Sequence, residues 1–140
     1  MATEVTVSRE GLATLEFVEG LHDAIAELST RAPHVSEGDL TLFALAVIEI
    51  ATNIAVHGPK GDEDIALSVE LSAGEALRAT LRDNAAPLHF DPQAQTMVDA
   101  LAESGRGLAI AAAVCDELAV ERRNGNIWRL TRRLETEPGA

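Results

Sequence analysis

Leu42-Phe43-Ala44-Leu45-Ala46-Val47-Ile48-Glu49-Ile50-Ala51-Thr52-Asn53-Ile54-Ala55-Val56-His57 is the stretch whose reading decides the fold. Its polar residues are Glu49, Thr52, Asn53 and His57. Glu49, Asn53 and His57 are spaced four apart, which puts them on one face of a helix. Burying a carboxylate is costly unless something compensates it. A helix that carries such a stripe through an apolar run therefore lines a polar cavity. An ordinary wet face is wider and studded with charge, yet no Lys or Arg occurs between Gly38 and His57.

Outward from this helix the chain reads as alternating elements. Ser36 offers an N-cap near Asp39, and Gly58-Pro59-Lys60-Gly61 stops the helix. Upstream, Leu12, Leu15, Val18, Leu21, Ile25 and Leu28 recur at three or four, predicting a helix over 12–28. Arg31-Ala32-Pro33-His34 breaks it, and a short strand over Thr3–Val7 precedes it.

Downstream, Ile65, Leu67, Val69 and Leu71 alternate, as do Leu77, Ala79 and Leu81, with a turn at Ser72–Glu75. The pair predicts an antiparallel hairpin that ends in the loop Asp83-Asn84-Ala85-Ala86-Pro87. Leu88–Ser104 is mixed, with a short helix expected near Met97–Ala102. Gly105-Arg106-Gly107 opens a helix over Leu108–Leu118. A last hairpin follows, Leu118–Arg123 and Ile127–Leu134, turning at Asn124-Gly125. The tail, 135–140, is expected to fray. This order predicts one α+β domain over 1–140: a two-layer sandwich whose mostly antiparallel mixed sheet is covered on one face by helices.

The 140 residues suffice for a core without staples, and 46% of them are hydrophobic. A net charge of −12 argues against a nucleic-acid or anionic-membrane partner. The single Cys115 sits in an apolar run and reads as an inert core thiol. The C-terminal arginines read as a solvated strand edge, and His22 as a surface helix residue. With no leader-like segment and no run of 18 apolar residues, a cytoplasmic location is expected.

The chemistry collects at three places. Asn53 offers an oxygen to a hard cation such as Mg²⁺, provided that substrate phosphates supply further ligands. Glu49, one turn away, is placed to take a proton from an attacking hydroxyl or water. Asp83 stands at a strand end. Gly105-Arg106-Gly107 puts bare backbone N–H groups at a helix start, an anion site to which Arg106 adds charge.

Together these segments resemble a known family. Glu49-Ile50-Ala51-Thr52-Asn53 with His57-Gly58 resembles the N-box of the Bergerat-fold (GHKL) ATPases, and the His-Gly ending is similar to the anti-sigma-factor serine/threonine kinase (RsbW-like) branch. Arg82-Asp83-Asn84 resembles the first glycine box. Ser104-Gly105-Arg106-Gly107-Leu108-Ala109-Ile110 resembles the second, and Asn124-Gly125-Asn126 the closing hairpin. The resemblance implies ATP and Mg²⁺ as cofactors. Glu49 would be the general base and Asn53 the metal ligand, while Asp83 would hold the adenine amino group. Gly105, Arg106 and Gly107, with Leu108 behind them, would wrap the phosphates. His57 would shape the pocket, and Asn126 stands near the adenine where relatives often have Thr.

The resemblance further implies a homodimer that binds a sigma factor and phosphorylates a STAS-type anti-anti-sigma antagonist. One departure stands out. Ala85 replaces the first box's usual glycine, so its methyl group is expected to crowd the base, leaving a catalytically weakened binding module as the alternative.

Overall fold

The computed structural model describes residues 4–57, 64–85, 106–122 and 124–134. The helix stop at Gly58–Gly61, the segment 88–104 with its expected short helix, Gly105 and the tail lie outside the described residues.

The first strand, β1 (Val5–Leu12), runs well past the expected Val7. Gly11 pairs with Leu67, and Leu12 pairs with Ala66 instead of starting a helix. Helix α1 (Leu15–Arg31) begins where Thr14, in extended conformation, accepts the Phe17 N–H at 3.0 Å on its hydroxyl. Its buried stripe is Val18, Leu21, Ala24, Ile25 and Leu28.

Helix α2 (Glu37–His57) is capped as the sequence suggests. The Ser36 hydroxyl accepts the Asp39 N–H at 3.1 Å and donates to the Asp39 carboxylate at 3.0 Å. By length and mean hydropathy of 1.7, the segment Glu37–Val56 would pass for a membrane span. Here it packs on the sheet, on α1 and on the last helix, with Phe43, Ala46, Val47, Ile50 and Ala51 fully buried.

Strands β2 (Ala66–Ala73) and β3 (Ala76–Asp83) form the expected hairpin. Helix α3 (Arg106–Val114) ends four residues before the expected Leu118. Two contacts made outside the helix end it. The Arg132 guanidinium takes the Val114 carbonyl at 2.6 Å, and the Asp116 N–H bonds the Thr131 carbonyl at 2.8 Å. The chain is thereby drawn into β4 (Glu117–Arg122), which turns through Asn124-Gly125 into β5 (Asn126–Arg133).

The five strands lie in the order β1-β2-β3-β5-β4, every described pairing antiparallel. Alternation assigns the faces. The row Val7, Leu71, Ala79, Leu130 and Leu118 is directly cross-paired and points to the helices. Ser8, Glu70, Thr80 and Arg129 form a row on the other face. The fold is the expected α+β two-layer sandwich.

Candidate functional site

The helix-facing row at one end of the sheet carries two buried polar side chains at its centre. It runs Gly11, Leu67, Asp83, Asn126, Arg122, each directly opposite the next. Asp83 is 8% exposed and Asn126 only 3%. The Asn126 side-chain amide donates to Asp83 Oδ1 at 2.9 Å, and the Ala85 backbone N–H donates to the same oxygen at 2.9 Å. Both of these bonds fall on Oδ1. Burial raises the Asp83 carboxyl above its ordinary value, and the bonds from Asn126 and Ala85 offset part of that rise. The Trp128 indole N–H also favours the charged form from nearby, though it is buried without meeting hydrogen-bond geometry.

Gly125 explains how β5 comes so close. Its φ is +129°, and a Cβ placed there would lie 2.0 Å from the Asp83 carbonyl oxygen and 2.9 Å from Asn84 Cα. Only glycine allows this approach. The Asn84 side chain in turn accepts the Ala66 N–H at 2.8 Å, tying the end of β3 to the start of β2. A cleft of about 570 Å³ opens at this end of the sheet, lined by Asp83, Asn84, Asn124 and Asn126 and, reaching round to the outer face, by Glu10, Ser68, Arg82 and Ile127. An adjoining concavity of about 390 Å³ lies on the outer sheet face around Ser8, Glu70 and Thr80; it shares Glu10, Ser68 and Arg82 with the cleft but reaches neither Asp83 nor Asn126.

Ala85 bears on the expected crowding. It is 4% exposed, and its methyl group is part of the hydrophobic core. Among the described non-glycine residues only Asn124 has positive φ, so Ala85 requires no left-handed backbone.

The second cluster sits between α2 and α3. A Cβ built on Gly107 would lie 2.6 Å from Glu49 Oε2 and 3.5 Å from Asn53 Nδ2. The bare Gly107 backbone is thus seated directly on the carboxylate and carboxamide that the sequence places on one helical face. Asn53 Nδ2 is buried with no hydrogen-bond partner among the described residues. An orphaned buried amide end costs free energy. Because the two ends of a carboxamide are assigned and not observed, rotation would present Oδ1 to the same place.

Leu108 is buried behind Gly107 and joins the core. His57 closes α2 and Arg106 opens α3; their side chains, like Gly105, lie outside the described residues. Among the described residues no group of three or more His, Cys, Asp or Glu side chains gathers as a metal site. Two features escaped sequence reading, the Gly125 approach and a buried Asp39–Arg132 pair. The second had a legible signal: Asn126, Trp128, Leu130 and Arg132 share one strand face, so an arginine on an apolar face needed a buried partner.

The family model of the histidine kinase-like ATPase domain matches residues 12–132. The chain belongs to this GHKL-type ATPase domain family. Among solved structures it is similar to the RsbU and RsbW domains of Rv1364c from Mycobacterium tuberculosis, with a TM-score of 0.64 and 20% identity over 93% of this chain. That likeness shows the fold. The chain spans 32% of the length of that neighbour. No curated protein matches the sequence.

Proposed function

We propose that this domain is an ATP- and Mg²⁺-dependent serine/threonine protein kinase acting as an anti-sigma factor. On this reading it is a cytoplasmic homodimer that binds a sigma factor and phosphorylates a STAS-type antagonist. The family supports ATP as substrate, and the RsbW domain named in the structural neighbour supports the finer assignment. The observation that carries the reading is Gly107 seated against Glu49 and Asn53. It brings a side-chain-free helix start, a carboxylate and a carboxamide to one point.

The residues divide the work. Asp83, held by Asn126 and Ala85, accepts the adenine amino group. The N–H groups of the first turn of α3 face the phosphates, with no side chain at Gly107 to keep them away. Asn53 would hold the metal: with its carboxamide rotated, Oδ1 would offer the hard oxygen donor that a small divalent cation takes. When bound, the metal offsets charge on the phosphates. Glu49 takes the proton of the attacking hydroxyl as its oxygen bonds to the terminal phosphorus. The bond to the departing ADP oxygen breaks in the same displacement.

The test is transfer of labelled γ-phosphate to a STAS-domain antagonist, run beside a calorimetric ATP titration. Glu49→Ala is expected to abolish transfer while nucleotide still binds, because a base acts chiefly in the transition state. Asn53→Ala is expected to weaken Mg²⁺-dependent binding as well. Full transfer activity in Glu49→Ala overturns the assignment. A wild-type protein that shows no heat with millimolar ATP and Mg²⁺ leaves the binding-module reading, which rests on Ala85.

A further inference from the structure

We propose that Arg132 is a positioning residue for the site, acting through a buried brace that joins the three elements carrying it. Its guanidinium donates from Nε to Asp39 Oδ1 at 3.1 Å, with Nη2 in ion-pair contact with the same oxygen at 3.1 Å, and from Nη1 to the Val114 carbonyl at 2.6 Å. The Asp39 side chain is 1% exposed and that of Arg132 13%. Asp39 lies in the first turn of α2, the helix that carries Glu49 and Asn53. Val114 is the last residue of α3, whose start carries Gly107. Arg132 itself stands on β5, on the face that carries Asn126. One planar fork thus spans α2, α3 and β5.

Burying such a pair is a poor way to gain stability, because the desolvation cost rivals the attraction. Its geometry is well suited to orientation. Both ends match the helix dipoles, a carboxylate at the start of α2 and a cation at the end of α3. Gly107 is seven residues from Val114, a lever of about 10 Å at 1.5 Å per residue. A tilt of about 5° at the braced end therefore moves Gly107 by about 0.9 Å, comparable to the misplacement that costs an enzyme about a hundredfold. Gly107 touches Glu49, so the brace sets how the base meets the phosphate end of the site. This role in catalysis rests on the proposed kinase reading; the brace itself does not.

The experiment separates the two. Arg132→Lys keeps the charge beside Asp39 but loses the fork that reaches Val114 at the same time. In nucleotide-free protein, amide exchange at Ile110–Val114, whose N–H groups bond within α3, is expected to quicken at least tenfold relative to α1, with the urea midpoint close to wild type. In the full protein with ATP and Mg²⁺, kcat is expected to fall at least tenfold with less than a threefold change in KM. Asp39→Asn, which keeps an acceptor for Arg132, provides the milder variant should Arg132→Lys fold poorly, and is expected to quicken the same amides. Wild-type exchange across α3 in both variants overturns the proposal. So does a uniform loss of protection over the whole domain. Faster exchange with no ATP binding in wild type leaves the brace standing and removes the kinase reading.

Discussion

Replacing Gly107 with alanine should separate activity from stability. The added Cβ would meet Glu49 Oε2 at 2.6 Å, against 3.4 Å for the start of ordinary contact, so the carboxylate must retreat by about 0.8 Å. The obstacle is the free end of a flexible side chain, so the fold can yield. Gly107 does not have positive φ, so alanine fits the backbone. It also favours helix by up to about 1 kcal/mol, less in a first turn. Thermal melting is therefore expected to hold or rise by up to about 3 °C. Transfer should nonetheless fall about tenfold to a hundredfold, because the base is displaced by nearly the distance at which an active site loses about two orders of magnitude.

Gly20→Ala is the control. It sits inside α1 with nothing within 4 Å of the new methyl group, so it should stabilise without touching transfer. The assays are scanning fluorimetry, ATP titration and labelled phosphate transfer. A Gly107→Ala protein whose kcat stays within about twofold of wild type would refute the argument that this contact sets the base.

Three further outcomes are expected. Asp83→Asn keeps acceptors for Asn126 and Ala85 but presents a donor to the adenine amino group, so ATP binding should weaken by about 1.5–3 kcal/mol in a titration. Because burial raises the folded Asp83 value, this carboxyl favours folding below the ordinary carboxylate range and loses that contribution as pH rises through its raised value. The stability of Asp83→Asn relative to wild type should therefore rise from pH 4 to pH 7 in urea melts, and parallel pH profiles would contradict this. Gly125→Ala combines a φ of +129° with a Cβ 2.0 Å from the Asp83 carbonyl. It should cost at least about 2 kcal/mol in urea and weaken ATP binding, and a loss below about 0.5 kcal/mol would show that the hairpin can retreat. Ala85→Gly should leave ATP affinity within about threefold, because the methyl group is packed in the core; a tenfold gain in the titration would restore the crowding argument.

Much of this domain is written in local pattern. The apolar run around Glu49 and Asn53, the Ser36 cap, the alternating strands and the Asn124-Gly125 turn each specify their element through contacts a few residues apart, and their order alone predicts the layered α+β fold. The shared face of Glu49 and Asn53 follows from helical period and needs no tertiary information. What the sequence could not decide is where chains distant in order meet. The α3 helix stops at Val114 because Arg132, eighteen residues on, takes its last carbonyl. The β1 strand reaches Leu12 because β2 offers it partners there. Asn126 bonds Asp83 only because antiparallel register sets them opposite across forty-three residues. Gly107 meets Glu49 only when α3 packs on α2. Periodicity reports which way a side chain faces. The partner it finds is chosen by register and packing, which depend on the whole chain at once.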